Sequence, residues 1–414
     1  MNIDDHILAF NCGSSSLKFQ LFRADGDTSA SELRGIVRDL GDDAICEWVY
    51  HGKRERTVLS ANDHGAAAGH VLALLELITD ADGSLLGTVS AIGHRIVHGG
   101  DSFYEPTLLT DKTLAALDAL SPLAPLHNPP ALAVICMCRE QLPDIPMAGV
   151  FDTAFFHALP DYVRAYALPA EWTEQLQPIR RYGFHGLAHR YMAERFAIIH
   201  AADVTPSRVI TLQLGHGCSV AAIRDESAIE TSMGFTPLEG LIMATRPGDV
   251  DVGVLLHLLE HGSVTTGALK DGLNHRAGLL GLSGVSADMQ ELLALEIQGH
   301  AGAHLAVEAF CHRARKYIGA YLAVLGGADA IVFGGGIGEH APDIRARICD
   351  GMEWCGLQLD GQSNRSTVGA EARISTADAS IAAYVIPVDE EALIARDTLS
   401  CLSATQTQKS HFSI

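Results

Sequence analysis

The sequence predicts an α/β fold in which one domain occurs twice. Two observations carry this. Strand-like and helix-like stretches alternate along the chain. One strand–turn–strand device also appears twice, as "ILAFNCGSSSLKFQLF" and as "VITLQLGHGCSVAAIR". In each copy an apolar strand reaches a polar tip that contains glycine, and a second strand returns.

In chain order, residues 7–11 read as an apolar strand, 12–16 as a Gly/Ser turn and 17–22 as a half-buried strand. Residues 67–77 have helical apolar spacing, and 89–92 read as a strand. Pro129 and Pro130 precede 131–138, which reads as the start of a buried helix. The second device follows, with strands at 209–214 and 219–223 and its tip at 215–218. Residues 328–333 form a strand that runs into the loop Gly334-Gly335-Gly336-Ile337-Gly338, and a helix begins near 342. A strand at 384–387 and a helix at 390–399 complete the pattern, and the polar tail after 403 reads as frayed.

A chain of 414 residues with 48% hydrophobic content has room for two domains with real cores. Its net charge of −21 disfavours nucleic acid and anionic membranes as partners. The nine cysteines are scattered, form no CxxC pair and match no zinc spacing. Free thiols in a reducing cytoplasm are the simplest reading. The acidic start MNIDDHILAF does not read as a signal peptide, and no apolar run reaches the length of a membrane span.

Three segments suit phosphate. They are Gly13 to Ser16 with Lys18 nearby, Gly215-His216-Gly217, and Gly334 to Gly338. Glycine lets backbone N–H groups approach an anion, and serine hydroxyls donate as well. One such loop would be an ordinary turn; three, each following an apolar strand, are not. The third matches neither a Walker motif nor the usual dinucleotide fingerprint. Arg95 in "GHRIVHGG" and Arg246 in "ATRPGDVD" carry guanidinium groups suited to carboxylate or phosphate. His185 and His189 have the i, i+4 spacing of a metal clasp, but Gly186 stands where a zinc protease needs glutamate. His127, before Asn128-Pro129-Pro130, reads on its own as a core histidine. Asp152 and Glu390 sit at strand ends, where a carboxylate can hold magnesium directly or through water.

Together these segments resemble the acetate kinase family. The stretches that carry the resemblance include "FNCGSSSLKFQLF", "GHRIVHGG", "APLHNPP", "FDTAFFHALP", "RRYGFHGLAHRYM", "TSMGFTPLEGLIMATRPGDVDVG", "FGGGIGEH" and "VIPVDEEALIARDT". The resemblance implies two ribonuclease H-like, actin-like domains with the active site in the cleft between them. The first spans 1–154 plus 389–414. The second, 155–388, binds nucleotide and carries the homodimer contact. The implied reaction is reversible transfer of the γ-phosphoryl of ATP to acetate, giving acetyl phosphate and ADP. It implies magnesium, with manganese as an alternative ion.

By the same resemblance, Asn11, Ser14, Ser16 and Lys18 belong to the first phosphate loop. Arg95 and Arg246 flank the transferred group, with His185 and His127 close by. Asn11, Asp152 and Glu390 lie at the magnesium. Gly215, His216, Gly217, Asp288, Met289, Gln290, Gly334, Gly335, Gly336, Ile337, Gly338 and His340 serve the nucleotide. Val97, Leu126, Phe184 and Pro237 surround the acyl methyl. Propionate kinases of the family carry a smaller residue at the position of Val97, so acetate is the expected acceptor.

Four positions depart from the family pattern. LGNG is replaced by LGHG at His216, SxDxR loses its arginine at Gln290, GEN ends instead in His340, and Glu230 precedes TSMG in place of aspartate. All four are expected at the nucleotide end. Another nucleoside triphosphate or pyrophosphate therefore stays open as donor, and propionate or butyrate as acceptor. A non-catalytic actin-like module would have no use for Arg95, Arg246, His127 and His185 together, whereas the altered loops leave open a degenerate homologue that binds nucleotide without catalysing. The histidine at 216 is expected to make nucleotide binding depend on pH between about 6 and 7.

Overall fold

The computed structural model describes residues 5–13, 15–25, 28, 30–80, 83–174, 179–200, 207–262 and 264–411. The chain divides into two compact units, 1–154 with 389–414, and 155–388.

The first unit is built on an eight-stranded sheet. Lys53–Ala61, Gly41–Tyr50, Leu33–Arg38, Ser16–Arg23 and His6–Cys12 follow one another antiparallel. Val89–Ile96 then joins His6–Cys12 in parallel, Met147–Phe151 joins Val89–Ile96 in parallel, and Thr107–Leu108 closes the edge antiparallel. Side chains alternate across the strands. Leu8 and Phe10 enter a core completed by Val71, Leu72, Val134 and Ile135 from the helices His64–Leu77 and Asn128–Gln141. Ala9 faces the other way. Gly93 pairs in register with it, and a Cβ at 93 would lie 2.3 Å from Thr398 Oγ1 and 2.7 Å from Ile394. That glycine lets the helix Glu390–His411 lie flat on the second face.

The second unit repeats the plan. Ser227–Thr231, Cys218–Arg224 and Arg208–Leu214 run antiparallel. Ala330–Gly334 and Ala382–Val385 then add in parallel, and Ala372–Arg373 closes the edge antiparallel. Met192 and Phe196 of the helix Gly186–His200 pack on Val209, Val332 and Tyr384. The hairpin seen twice in the sequence is the same piece of sheet in each unit.

Three elements differ from the sequence reading. The strand read at 89–92 continues to Ile96, because Met147–Phe151 offers it a ladder as far as the pair Phe151 and Ile96. The segment read as a loop at 334–338 is a strand end followed by the short helix Gly335–His340. Glu339 explains this: its carboxylate turns back and accepts the Gly335 N–H at 2.8 Å. The tail read as frayed continues as helix to His411.

Candidate functional site

In the first unit the chemistry gathers at the strand ends. Arg95 comes from the end of Val89–Ile96, Asp152 from the residue after Met147–Phe151, and Asn11 from the end of His6–Cys12. Arg95 Nε and Nη2 donate to the two carboxylate oxygens of Asp152 at 3.0 and 2.5 Å. Its Nη1 donates to Asn11 Oδ1 at 2.8 Å and lies 4.0 Å from Glu390. Asn11 Nδ2 donates in turn to Glu390 and Glu391, both at 2.7 Å. Burial works against the Arg95 charge, but Asp152 and Glu390 outweigh it, and the guanidinium pKa rises. Asp152, Glu390 and Glu391 against Arg95 and Lys18 leave carboxylate oxygens in excess of cations. That donor set fits a hard divalent cation.

The first phosphate loop closes with Gly13 N–H donating to the Ser16 carbonyl at 2.8 Å, and His64 Nε2 contacts the Gly13 carbonyl at 2.9 Å. Ser14 lies outside the described residues. Lys18 acts electrostatically on Asp389 and Glu391 and draws both carboxyls back down from values raised by burial. Val97 is buried, whereas Leu126 is 41% exposed. His127 is half-buried at the start of Asn128–Gln141 and is no core histidine. The sequence reading missed Glu391, although "DEE" after a strand was its visible sign.

In the second unit, Gly217 is the meeting point. A Cβ there would lie 2.6 Å from Arg246 Nη2 and 3.2 Å from His185 Nε2. A side chain at 217 would thus have to displace Arg246 and crowd His185. Arg246 Nη1 donates to the Pro237 carbonyl at 2.9 Å. Among the described residues no carboxylate pairs with Arg246, and burial lowers its pKa. A buried cation without a carboxylate is prepared for an anion from outside. Phe184 is buried beside His185 in sequence. His185 and His189 do not form a metal clasp, since Nδ1 of His185 and both ring nitrogens of His189 bond to hydroxyls of Ser219 and Thr211.

Beside this lies a cavity of about 670 Å³. Gly215, His216, Asp288, Met289, Gln290, Gly336, Ile337 and His340 line it, so most of the expected nucleotide residues meet there. Gly217, Gly334, Gly335 and Gly338 do not. A Cβ at Gly334 would meet Met192 and Val388, and one at Gly335, whose φ is +75°, would lie 2.7 Å from the Leu214 carbonyl. Asp288 caps the helix Met289–Ile297 by accepting the Glu291 N–H at 2.9 Å. His340 Nδ1 contacts the Gly336 carbonyl at 3.2 Å. Asp343 and Val368 also line the cavity and were not foreseen. Neither was Arg345, which is fully buried and donates to the carbonyls of Gly338, Glu339, Asn364 and Thr367. Burial pushes its pKa down to about 10. Glu230 pairs with Arg181 at 3.8 Å, so the departure there is structural.

The pH range expected for His216 needs correction. Desolvation by the packed loop, and then the charge of Arg246, hold its pKa below the ordinary 6.5. The ring is mostly neutral at pH 7, where it offers phosphate one N–H, and protonation adds a positive charge that strengthens the attraction. Nucleotide affinity should therefore be level above pH 7 and tighten as pH falls below 6.5. Titration calorimetry across that range checks this. An equal tightening in His216→Asn would refute it.

The family model of the Acetokinase family matches residues 6–396. An acetate kinase of Solibacter usitatus is 43% identical over 410 residues, covering 96% of this chain and 98% of that one. Among solved structures, the Porphyromonas gingivalis acetate kinase superposes with a TM-score of 0.87 at 37% identity, covering 96% of this chain and 100% of the other. A propionate kinase from Francisella tularensis gives the same TM-score at 34% identity, covering 96% and 99%.

Proposed function

The chain belongs to the acetokinase family, whose members are phosphotransferases with a carboxyl acceptor, and we propose that it moves the γ-phosphoryl of ATP to acetate. An acetate oxygen forms a bond to the γ-phosphorus, the bond from that phosphorus to the bridging oxygen breaks, and ADP leaves. No base is needed, because a carboxylate is ionised at neutral pH. What remains is charge stabilisation over the equatorial oxygens and alignment. Arg246 carries this reading: a buried guanidinium without a carboxylate, sharing Gly217 with His185. Arg95 supplies the second guanidinium, and His127 and His185 supply imidazoles. Asp152 and Glu390 would hold magnesium together with Asn11, whose amide donates to Glu390 and Glu391 and accepts from Arg95. The ion, when bound, would neutralise charge on the phosphate oxygens.

The cavity supports a nucleoside donor over pyrophosphate. Among the described residues its lining has no lysine or arginine but does have Asp288 and Asp343. Carboxylates suit ribose hydroxyls and repel a bare pyrophosphate. Val97 favours acetate, and the likeness to a propionate kinase favours propionate as the second reading. A hydroxamate assay for acyl phosphate decides among them, with acetate and propionate against ATP, GTP and pyrophosphate. The expected order is acetate above propionate in kcat/KM, with activity on nucleotides only. Activity with pyrophosphate alone would overturn the donor assignment. One methylene is worth only about 1–3 kcal/mol in such a pocket, so some propionate turnover is expected.

A homodimer accords with the helix Val252–Glu260. None of its residues is buried, and Val252, Val254 and Leu256 are at least half exposed. Sedimentation should give a dimer, and a monomer at micromolar concentration would contradict it. All nine cysteines are free thiols, in keeping with a cytoplasmic protein. No helix among the described residues is long and apolar enough to cross a membrane.

A further inference from the structure

A buried line of hydrogen bonds reaches His185 from the interior of the second unit. Thr211 lies in the strand Arg208–Leu214, Ser219 in the adjacent Cys218–Arg224, and His189 on the helix Gly186–His200. All three are fully buried. Thr211 Oγ1 lies 2.7 Å from His189 Nδ1. His189 Nε2 lies 2.8 Å from Ser219 Oγ, and Ser219 Oγ lies 2.8 Å from His185 Nδ1.

A neutral imidazole has one N–H, so the protons can run in either of two senses. In the first, Thr211 donates to His189 Nδ1, His189 Nε2–H donates to Ser219, and the Ser219 hydroxyl donates to His185 Nδ1. His185 then carries its proton on Nε2. In the second, every donor and acceptor exchanges roles, and His185 carries its proton on Nδ1. Thr211 decides between them. Among the described residues, its hydroxyl bonds to His189 alone. In the second sense the Thr211 O–H would be a buried donor with no acceptor, a cost that the first sense avoids.

We infer that Thr211, Ser219 and His189 are positioning residues that fix His185 as the Nε2–H tautomer, so that the ring donates from the nitrogen beside Gly217 and Arg246. This rests on the reading that His185 serves the transfer. A neutral ring in that state is a hydrogen-bond donor to a phosphoryl oxygen, whereas the other tautomer would turn a lone pair toward negative charge. His185 is held at φ +58°, and the relay fixes the ring that this unusual backbone presents.

The test is 15N NMR of the whole protein labelled at histidine, with His185 assigned from His185→Gln. The expected spectrum at pH 7.5 shows His185 protonated at Nε2. Ser219→Ala and Thr211→Val should give mixed tautomers. Their kcat should fall about tenfold, with little change in the KM of acetate or ATP. Ser219→Thr, which keeps the hydroxyl, should restore both. In a His185→Gln background, Ser219→Ala should have no further effect on kcat. His185 protonated at Nδ1 in the parent protein would overturn the inference. So would an equal loss from Ser219→Ala with and without His185. An Nε2–H ring whose replacement leaves kcat unchanged would instead overturn the role of His185 in transfer, while supporting the sense of the hydrogen bonds.

Discussion

Replacing Arg246 by alanine should lower kcat about 10³-fold, with the melting temperature changed by less than about 4 °C. The two expectations have one cause. Arg246 is buried, its guanidinium donates to the Pro237 carbonyl, and it has no carboxylate partner among the described residues. Its charge costs the folded protein desolvation and gains little from the fold. Removing it forfeits stabilisation of the transferred group without orphaning an acid. Steady-state kinetics and a thermal melt on the same preparation check both. An unchanged kcat would remove Arg246 from the transfer.

Arg95→Ala should behave differently. It should also lower kcat about 10³-fold, but in addition cost about 3–5 kcal/mol of stability. Asp152 is fully buried and takes two hydrogen bonds from Arg95, so the variant leaves a buried carboxylate without its cation. Asn11 loses its Arg95 contact as well, while still facing Glu390 and Glu391. Adding Asp152→Asn should recover much of the stability and none of the activity. Denaturant titration of the single and double variants checks this. A single variant as stable as the parent would show that the pair does not hold the first unit together.

The contrast between the arginines was not legible in the sequence. Each stood in a stretch rich in glycine and histidine, and both looked alike. Their difference lies in what the fold sets beside them. Asp152 follows a neighbouring strand far along the chain, and nothing local announces that Arg246 lacks such a neighbour. The duplicated sheet was legible, because two apolar strands around a glycine tip are a local pattern with a fixed period. The end of Val89–Ile96 was not, because Gly93-His94-Arg95 breaks the apolar run and only the partner strand extends it. Arg345 escaped notice for a similar reason: its acceptors are carbonyls in two segments, 338–339 and 364–367. The helix Gly335–His340 could have been found, since Glu339 sits four residues from the N–H it caps.

Transfer of label from ATP carrying 32P at the γ position to acetate, in the presence of magnesium, tests the central claim most directly. Labelled acetyl phosphate should appear in step with ADP and be lost in Arg246→Ala. Label that stays in ATP, or emerges only as inorganic phosphate whether or not acetate is present, would contradict it.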